Sequence, residues 1–170
     1  MQTTIGDLLQ FKNGTVQSVS PCEPLATAIE QMAELNIGAL PVVDDGRLVG
    51  IFSERDVLRR IVGRGMDLNS IPVSEVMTSD PVSSPPSLRV FEAMRVMSDR
   101  KFRHLPVVDG NRLIGMVSMG DVTARVISEQ SDSIRSMVRA VGRLTRKQRS
   151  TPSERVFPLP PRRHNNAHET

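Results

Sequence analysis

Two stretches of the chain carry the same succession of hydrophobic periods. Leu25, Ala28, Ile29 and Met32 fall at i, i+3, i+4 and i+7, and Val90, Ala93, Met94 and Met97 repeat that stripe 65 residues later. The spacing puts four apolar side chains on one helix face, so each stretch predicts an amphipathic α-helix. Pro24 suits a first helical turn, and Pro85, Pro86 and Ser87 mark the corresponding start in the second copy. The period then shortens to that of strands. Apolar runs at 39–43 and 48–52 flank Asp44-Asp45-Gly46, and runs at 105–108 and 113–117 flank Asp109-Gly110-Asn111. Short β-branched runs around an acidic, glycine-containing turn predict a hairpin in each copy. A further strand is expected near 16–19 and near 82–84, and a second helix starts near Ser53 and near Ser118. Each unit therefore reads β-α-β-β-α.

The repetition extends to residue identity. A shift of 65 residues aligns Leu40-Pro41-Val42-Val43-Asp44 with Leu105-Pro106-Val107-Val108-Asp109 without a gap. Arg47, Leu48, Gly50, Ser53, Asp56, Val57 and Arg60 then meet Arg112, Leu113, Gly115, Ser118, Asp121, Val122 and Arg125, which makes 12 identities in the 21 positions from 40 to 60. Two copies are too few for a solenoid. A pair of units packed about a pseudo-twofold axis, with equivalent clefts between them, is the simpler solution. The expected layout is a first repeat over 1–65, a second over 66–128, a helical extension over 129–147 and a basic, Pro-rich disordered tail over 148–170, with 63–70 as the link. The extension rests on the helical spacing of Val126, Ile127, Ile134, Met137, Val138, Val141 and Leu144.

Composition narrows the class. With 170 residues, 38% of them apolar and 24% charged, the chain fits one domain or two small ones with a real core. Five Phe with no Trp or Tyr leave little for base stacking on single-stranded nucleic acid. A single cysteine, Cys22, cannot form an internal disulfide, and three histidines leave few ligands for a transition metal, so a reducing cytoplasm is expected. The first residues lack the basic and apolar regions of a signal peptide, and no apolar run approaches the length of a membrane span. The net charge of +3 is a property of the end of the chain. Residues 1–130 hold 13 Lys and Arg against 16 Asp and Glu, whereas 131–170 hold 9 against 3. A nucleic-acid reading of the whole chain is therefore unsupported, and contact of the tail with nucleic acid or an acidic partner is the weaker alternative.

The candidate chemistry lies where each hairpin runs into its following helix. Gly50-Ile51-Phe52-Ser53-Glu54-Arg55-Asp56 and Gly115-Met116-Val117-Ser118-Met119-Gly120-Asp121 share the pattern glycine, two apolar residues, serine, two variable residues, aspartate. Serine with a carboxylate three residues on makes a capping box wherever a helix begins. The same arrangement suits nucleotide parts. A helix start offers amide groups and the positive end of a dipole to a phosphate, and a carboxylate one turn in accepts hydrogen bonds from ribose hydroxyls. Gly50 and Gly115 sit inside strands, which marks either a bulge or the close approach of backbone or ligand.

With both patterns in place, residues 1 to about 128 resemble a tandem pair of cystathionine β-synthase (CBS) domains, a Bateman module of the short stand-alone bacterial type. Val76-Met77-Thr78 and Asp80-Pro81-Val82 match a common opening of the second repeat in that family. The resemblance implies an α/β (α+β) pair of repeats that forms a homodimer, with no enzymatic reaction of its own. It also implies regulatory binding of an adenosyl ligand between the repeats: AMP, ADP or ATP first, NAD(H) or S-adenosylmethionine as further choices, with no metal required. Carried over by position, Asp56 and Asp121 take ribose hydroxyls, Ser53 and Ser118 take phosphate, and Arg55 adds a contact. The opposite repeat completes each site, which implies Phe102, Arg103 and His104 with Thr78 and Val82 for the first, and Ile37, Gly38 and Ala39 for the second. The first site is then expected to be cationic and the second small and neutral. The other class of function left open is a dimerising scaffold whose basic tail does the binding.

The remaining candidates default to structure. Met32, Met94 and Met97 lie on helix stripes and read as core filling. Cys22 has no histidine nearby in sequence, and His164 and His168 lie in the Pro-rich tail with Pro152, Pro158, Pro160 and Pro161.

Overall fold

The computed structural model describes residues 3–12 and 15–149, with side chains as far as residue 139. Helix α1 (Ile5–Phe11) opens the chain, a helix the sequence reading did not anticipate. Its signal is Thr4-x-x-Asp7: the Asp7 amide donates to Thr4 Oγ1 at 3.2 Å and the Thr4 amide donates to Asp7 Oδ2 at 2.8 Å, a closed capping box. The Thr4 amide and the Thr4 hydroxyl, which donates to the same oxygen at 2.7 Å, hold the Asp7 carboxyl below its usual range.

The expected β-hairpins and helices follow. α2 (Leu25–Leu35) buries Leu25, Ala28 and Met32, with Pro24 just ahead of its first turn and Asn36 closing it in the left-handed conformation. β1 (Ala39–Asp44) pairs with β2 (Arg47–Ser53) across Asp45 and Gly46, both at positive φ as a type I′ turn requires. A single helical turn, α3 (Glu54–Asp56), then widens into the π-type turn Val57–Ile61. The connection carries the 3-10 turn Val73–Glu75 and the two-residue strand β3 (Thr78–Ser79). In the second copy α4 (Val90–Asp99) buries Val90, Ala93 and Met97, and its cap is Arg89, beyond the expected Pro-Pro-Ser start, which forms a turn instead. β4 (His104–Asp109) and β5 (Arg112–Ser118) form the second hairpin, and α5 (Met119–Arg149) ends the described chain.

Two expected strands shrink to single bridges. Val19 pairs only with Val42 and Ser84 only with Val107, and Pro21, two residues on, and Pro85, one residue on, cannot extend a ladder. The two hairpins share one sheet in the order β1-β2-β5-β4, joined at Arg47 and Arg112, while β3 pairs with β2 at Gly50 and Ile51. In each hairpin the register slips beside the glycine, at Val42/Val43 opposite Gly50 and at Val107/Val108 opposite Gly115. The bulge is thus present, and the close approach is made by the protein itself. A Cβ on Gly50 would stand 2.3 Å from Met77 Sδ, and one on Gly115 would stand 2.5 Å from Leu9 Cδ1.

Two apolar cores result, and each borrows a segment from outside its repeat. The first gathers Val19, Leu25, Ala28, Leu40, Val42 and Phe52 with Val73 and Val76 from the connection. The second gathers Val90, Ala93, Met97, Leu105, Val107 and Val117 with Ile5 and Leu8 from α1. Backbone bonds fasten both borrowed segments: Leu25 donates to Ile71 at 2.9 Å and Val73 to Glu23 at 2.8 Å, while Ile5 donates to Leu88 at 2.8 Å and Val90 to Thr3 at 3.0 Å. Two homologous arginines complete the attachment. Arg60 donates to the carbonyls of Val76 and Met77, and Arg125 donates to Thr3 Oγ1 and lies 5.6 Å from the centre of the Phe11 ring.

The chain divides into two compact units, residues 1–130 and 131–170. In the second, the described part is the continuation of α5, where Ile134, Met137 and Val138 are exposed. Side chains of Val141, Leu144 and the basic residues Arg143, Arg146, Lys147 and Arg149 are not described, and the prolines and histidines of the tail lie outside the described residues. Among those residues no helix is long and apolar enough to cross a membrane, and no group of three metal-ligating side chains occurs.

Candidate functional site

The end of β2 places Ser53 where the chain turns into α3. The Ser53 amide donates to Asp56 Oδ2 at 2.9 Å and its hydroxyl donates to the same oxygen at 2.7 Å. Asp56 is 8% exposed, and among the described residues its other oxygen meets Arg60 Nη1 alone, at 3.5 Å. One face of the carboxylate is therefore fixed by serine, and the other is lightly held. Because the Ser53 hydroxyl proton goes to Asp56, the serine as placed orients the carboxylate and does not donate to a phosphate. The amide cradle expected at the helix start is also engaged, since the Glu54 amide donates to Gly38 O at 3.1 Å.

The opposing wall comes from the second repeat. Arg55 Nη1 reaches across to donate to Lys101 O at 2.9 Å, and Phe102, Arg103 and His104 follow at the start of β4. A cleft of about 270 Å³ lies between the walls. Ser53, Arg55, Asp56, Thr78, Val82, Phe102, Arg103 and His104, the full set expected for the first site, line it together. Gly38, expected for the second site, lines it too, as do Ile51, Pro81 and Glu54, which the sequence reading passed over. Ile51, Pro81, Val82 and Phe102 supply an apolar side, as a planar base requires.

The cleft is not the cationic site expected from sequence. Glu54 and Asp56 balance Arg55 and Arg103, and burial pushes the His104 imidazole below its usual range, only partly opposed by Glu54, so it is neutral near pH 7. Gly38 separates the two: a Cβ there would lie 3.2 Å from Glu54 Oε2 and 3.3 Å from His104 Cε1. The two arginines are thus the cationic groups of the cleft near pH 7.

The second set is only partly assembled. Ile37, Gly38 and Ser118 line a groove of about 670 Å³ with Arg103, His104, Met119 and Gly120, but its larger wall is the apolar helix face of Ile29, Met32, Ala33, Val57 and Leu58. Ala39 is fully buried and lines neither space. Asp121 repeats the capping box, taking the Ser118 amide at 2.7 Å and the hydroxyl at 2.8 Å, but the same oxygen also accepts Lys12 Nζ at 2.6 Å. Burial alone would raise the Asp121 carboxyl; Lys12 and Ser118 outweigh it and hold it below its usual range. Lys12 was not among the expected residues, because its approach depends on α1.

Two β-α-β-β-α repeats sharing a sheet, with a serine-braced carboxylate facing arginine across the gap, define a tandem ligand-binding module. The CBS domain model matches twice, over 15–63 and 73–128, and the chain belongs to that family. It is 38% identical over 116 residues to the CBS domain-containing protein YhcV of Bacillus subtilis, covering 68% of this chain and 82% of that one. A putative signal-transduction protein with CBS domains from Burkholderia ambifaria superposes with a TM-score of 0.69 at 37% identity, covering 75% of this chain and 96% of the other. CBSX2 in complex with AMP superposes at 0.64 with 29% identity, covering 75% and 99%.

Proposed function

We propose that the chain is a regulatory module that binds an adenosyl nucleotide of about AMP size in the cleft between Asp56 and Arg103. The reading is carried by one observation: a buried carboxylate, aimed by serine and open on one oxygen, stands opposite a guanidinium of the other repeat in an apolar-walled cleft. Asp56 accepts the ribose hydroxyls through that free oxygen. The base lies along Ile51, Val82 and Phe102, and the phosphate meets Arg103 and Arg55, with Thr78 at the rim. The cleft lies at the small end of the roughly 300–1,000 Å³ usual for small-molecule sites, which favours a monophosphate over ATP, NAD(H) or S-adenosylmethionine. The AMP-bound relative CBSX2 supports the ligand class.

Occupancy acts on shape because Arg55 and Arg103 belong to different repeats, so a phosphate held by both ties the repeats together. No catalytic constellation for a reaction on the nucleotide occurs among the described residues. The output passes to a partner, and the first partner is a second copy. The apolar wall formed by Ile29, Met32, Val57 and the 70% exposed Leu58 is the face that would pair.

The deciding experiment is calorimetric titration of the chain with AMP, ADP, ATP, NADH and S-adenosylmethionine. AMP should bind most tightly, Asp56→Ala should abolish binding, and Arg103→Ala should bring AMP down to the affinity of adenosine. AMP binding unchanged in Asp56→Ala would remove the reading. Leu58→Asp should yield a monomer in light scattering, and a wild-type monomer would end the pairing proposal.

A further inference from the structure

The two halves of the module differ at one polar contact. Asp56 and Asp121 stand at the same position of the repeat, braced by Ser53 and Ser118 in the same way. Asp56 keeps one oxygen facing an open cleft, with a 3.5 Å neighbour in Arg60. At Asp121 the oxygen that Ser118 braces also accepts an ammonium at 2.6 Å, and that ammonium also reaches Met116 O at 3.4 Å, on the strand that leads to Ser118.

Lys12 is not a wandering surface side chain. It caps α1, and α1 is fastened along its length: Ile5 and Leu8 are buried, Leu9 fills the space left by Gly115, Thr3 binds Arg125 and Glu129, and Phe11 lies beneath Arg125. The repeat shows what stands there otherwise. Lys12 lies seven residues before Val19, and Met77 lies seven before Ser84, the two bridge residues that correspond across the repeat. By sequence position the first half has a neutral thioether where the second has a charge, although the Met77 side chain packs on Gly50 as Leu9 does on Gly115.

We propose that Lys12 is the resident occupant of the second adenosyl site: it takes the carboxylate that a ribose would need, so the module holds one nucleotide per chain, and a second enters only by undocking the end of α1. The inference rests on the reading that Asp56 binds ribose. A neutral diol offered to Asp121 must compete with a cation at 2.6 Å that four further contacts of α1 hold beside the carboxylate, whereas at Asp56 the neighbouring cation stands at 3.5 Å.

The test is the number of AMP equivalents bound by the full chain in calorimetric titration. Wild type and Lys12→Arg should each bind one, and Lys12→Met, which copies the first half, should bind two. In an Asp56→Ala background, wild-type Lys12 should leave none and Lys12→Met should restore one, which Asp121→Ala then removes. Amide exchange of residues 8–12 monitors α1 in parallel and should speed up in Lys12→Met as the second equivalent binds. Two equivalents in wild type, or one in both wild type and Lys12→Met, overturns the inference and leaves the Asp56 reading intact. No binding in wild type with one equivalent in Lys12→Met removes the Asp56 reading and with it the count of one nucleotide per chain, and leaves only Lys12 as the group that blocks the second site. No binding in either chain removes both.

Discussion

Gly50 and Gly115 show how a repeated residue can serve packing where a ligand was equally plausible. A methyl on Gly115 would drive into the branched end of Leu9, which sits on a docked helix and has nowhere to go. Gly115→Ala should therefore lower the unfolding free energy by about 1–3 kcal/mol in urea titration. Gly50→Ala should cost less, since the intruded atom belongs to an unbranched methionine that can swing aside. Ser84 offers the opposite sign. Its hydroxyl is buried without a hydrogen-bond partner among the described residues, at the place where the first repeat has Val19. Ser84→Val should raise stability by about 1 kcal/mol, and a loss in thermal unfolding would contradict that. His104 carries the pH dependence. Its folded pKa lies below the unfolded one, so its contribution is present above about pH 6.5 and is lost as pH falls from there through the lower folded pKa, the unfolded chain taking up the proton first. His104→Gln should flatten the fall in melting temperature between about pH 7 and 5. A phosphate in the cleft would favour the imidazolium, so AMP binding near pH 6 should take up protons, visible as a buffer-dependent binding enthalpy.

At the scale of elements, helix stripes and hairpin turns were legible because they depend on spacing alone. Leu25, Ala28 and Met32, like Val90, Ala93 and Met97, face the cores as their period requires. The first cleft was legible too, since its residues come from two short motifs at fixed offsets. What escaped was set by neighbours distant in the chain. Glu54 changes the charge of the cleft although it adjoins Ser53, because only the folded turn reveals that it points inward with Gly38. Lys12 meets Asp121 across 109 positions, and no local pattern reports that. The homologous arginines are the clearest case: their identity was visible, but their work was not. Arg60 binds the carbonyls of Val76 and Met77, and Arg125 binds Thr3. Replacing either with alanine leaves buried or half-buried acceptors unmet, and each change should lower stability by roughly 1.5–3 kcal/mol. Equal stability of Arg60→Ala and wild type in chemical unfolding would show that those carbonyls find water instead.

The whole molecule couples these parts through the way its cores are built. Both are completed by a segment from outside the repeat served: α1 for the second and the connection around Val73 and Val76 for the first. AMP at about one hundred times its dissociation constant should stabilise the fold by about 2.7 kcal/mol, and because the ligand spans both halves the unfolding transition should stay single. Chain entropy follows the same crossing. Contacts between Ile5 and Leu88 or Thr3 and Glu129 form only after most of the chain has been laid down, so the amino-terminal segment has no home until the last helix begins. A polypeptide severed within 63–70 would therefore leave one half lacking its own lid and the other lacking its helical cover. Mixed together, the two pieces hold everything each other needs, and a protein made this way should reassemble from fragments where neither fragment folds alone.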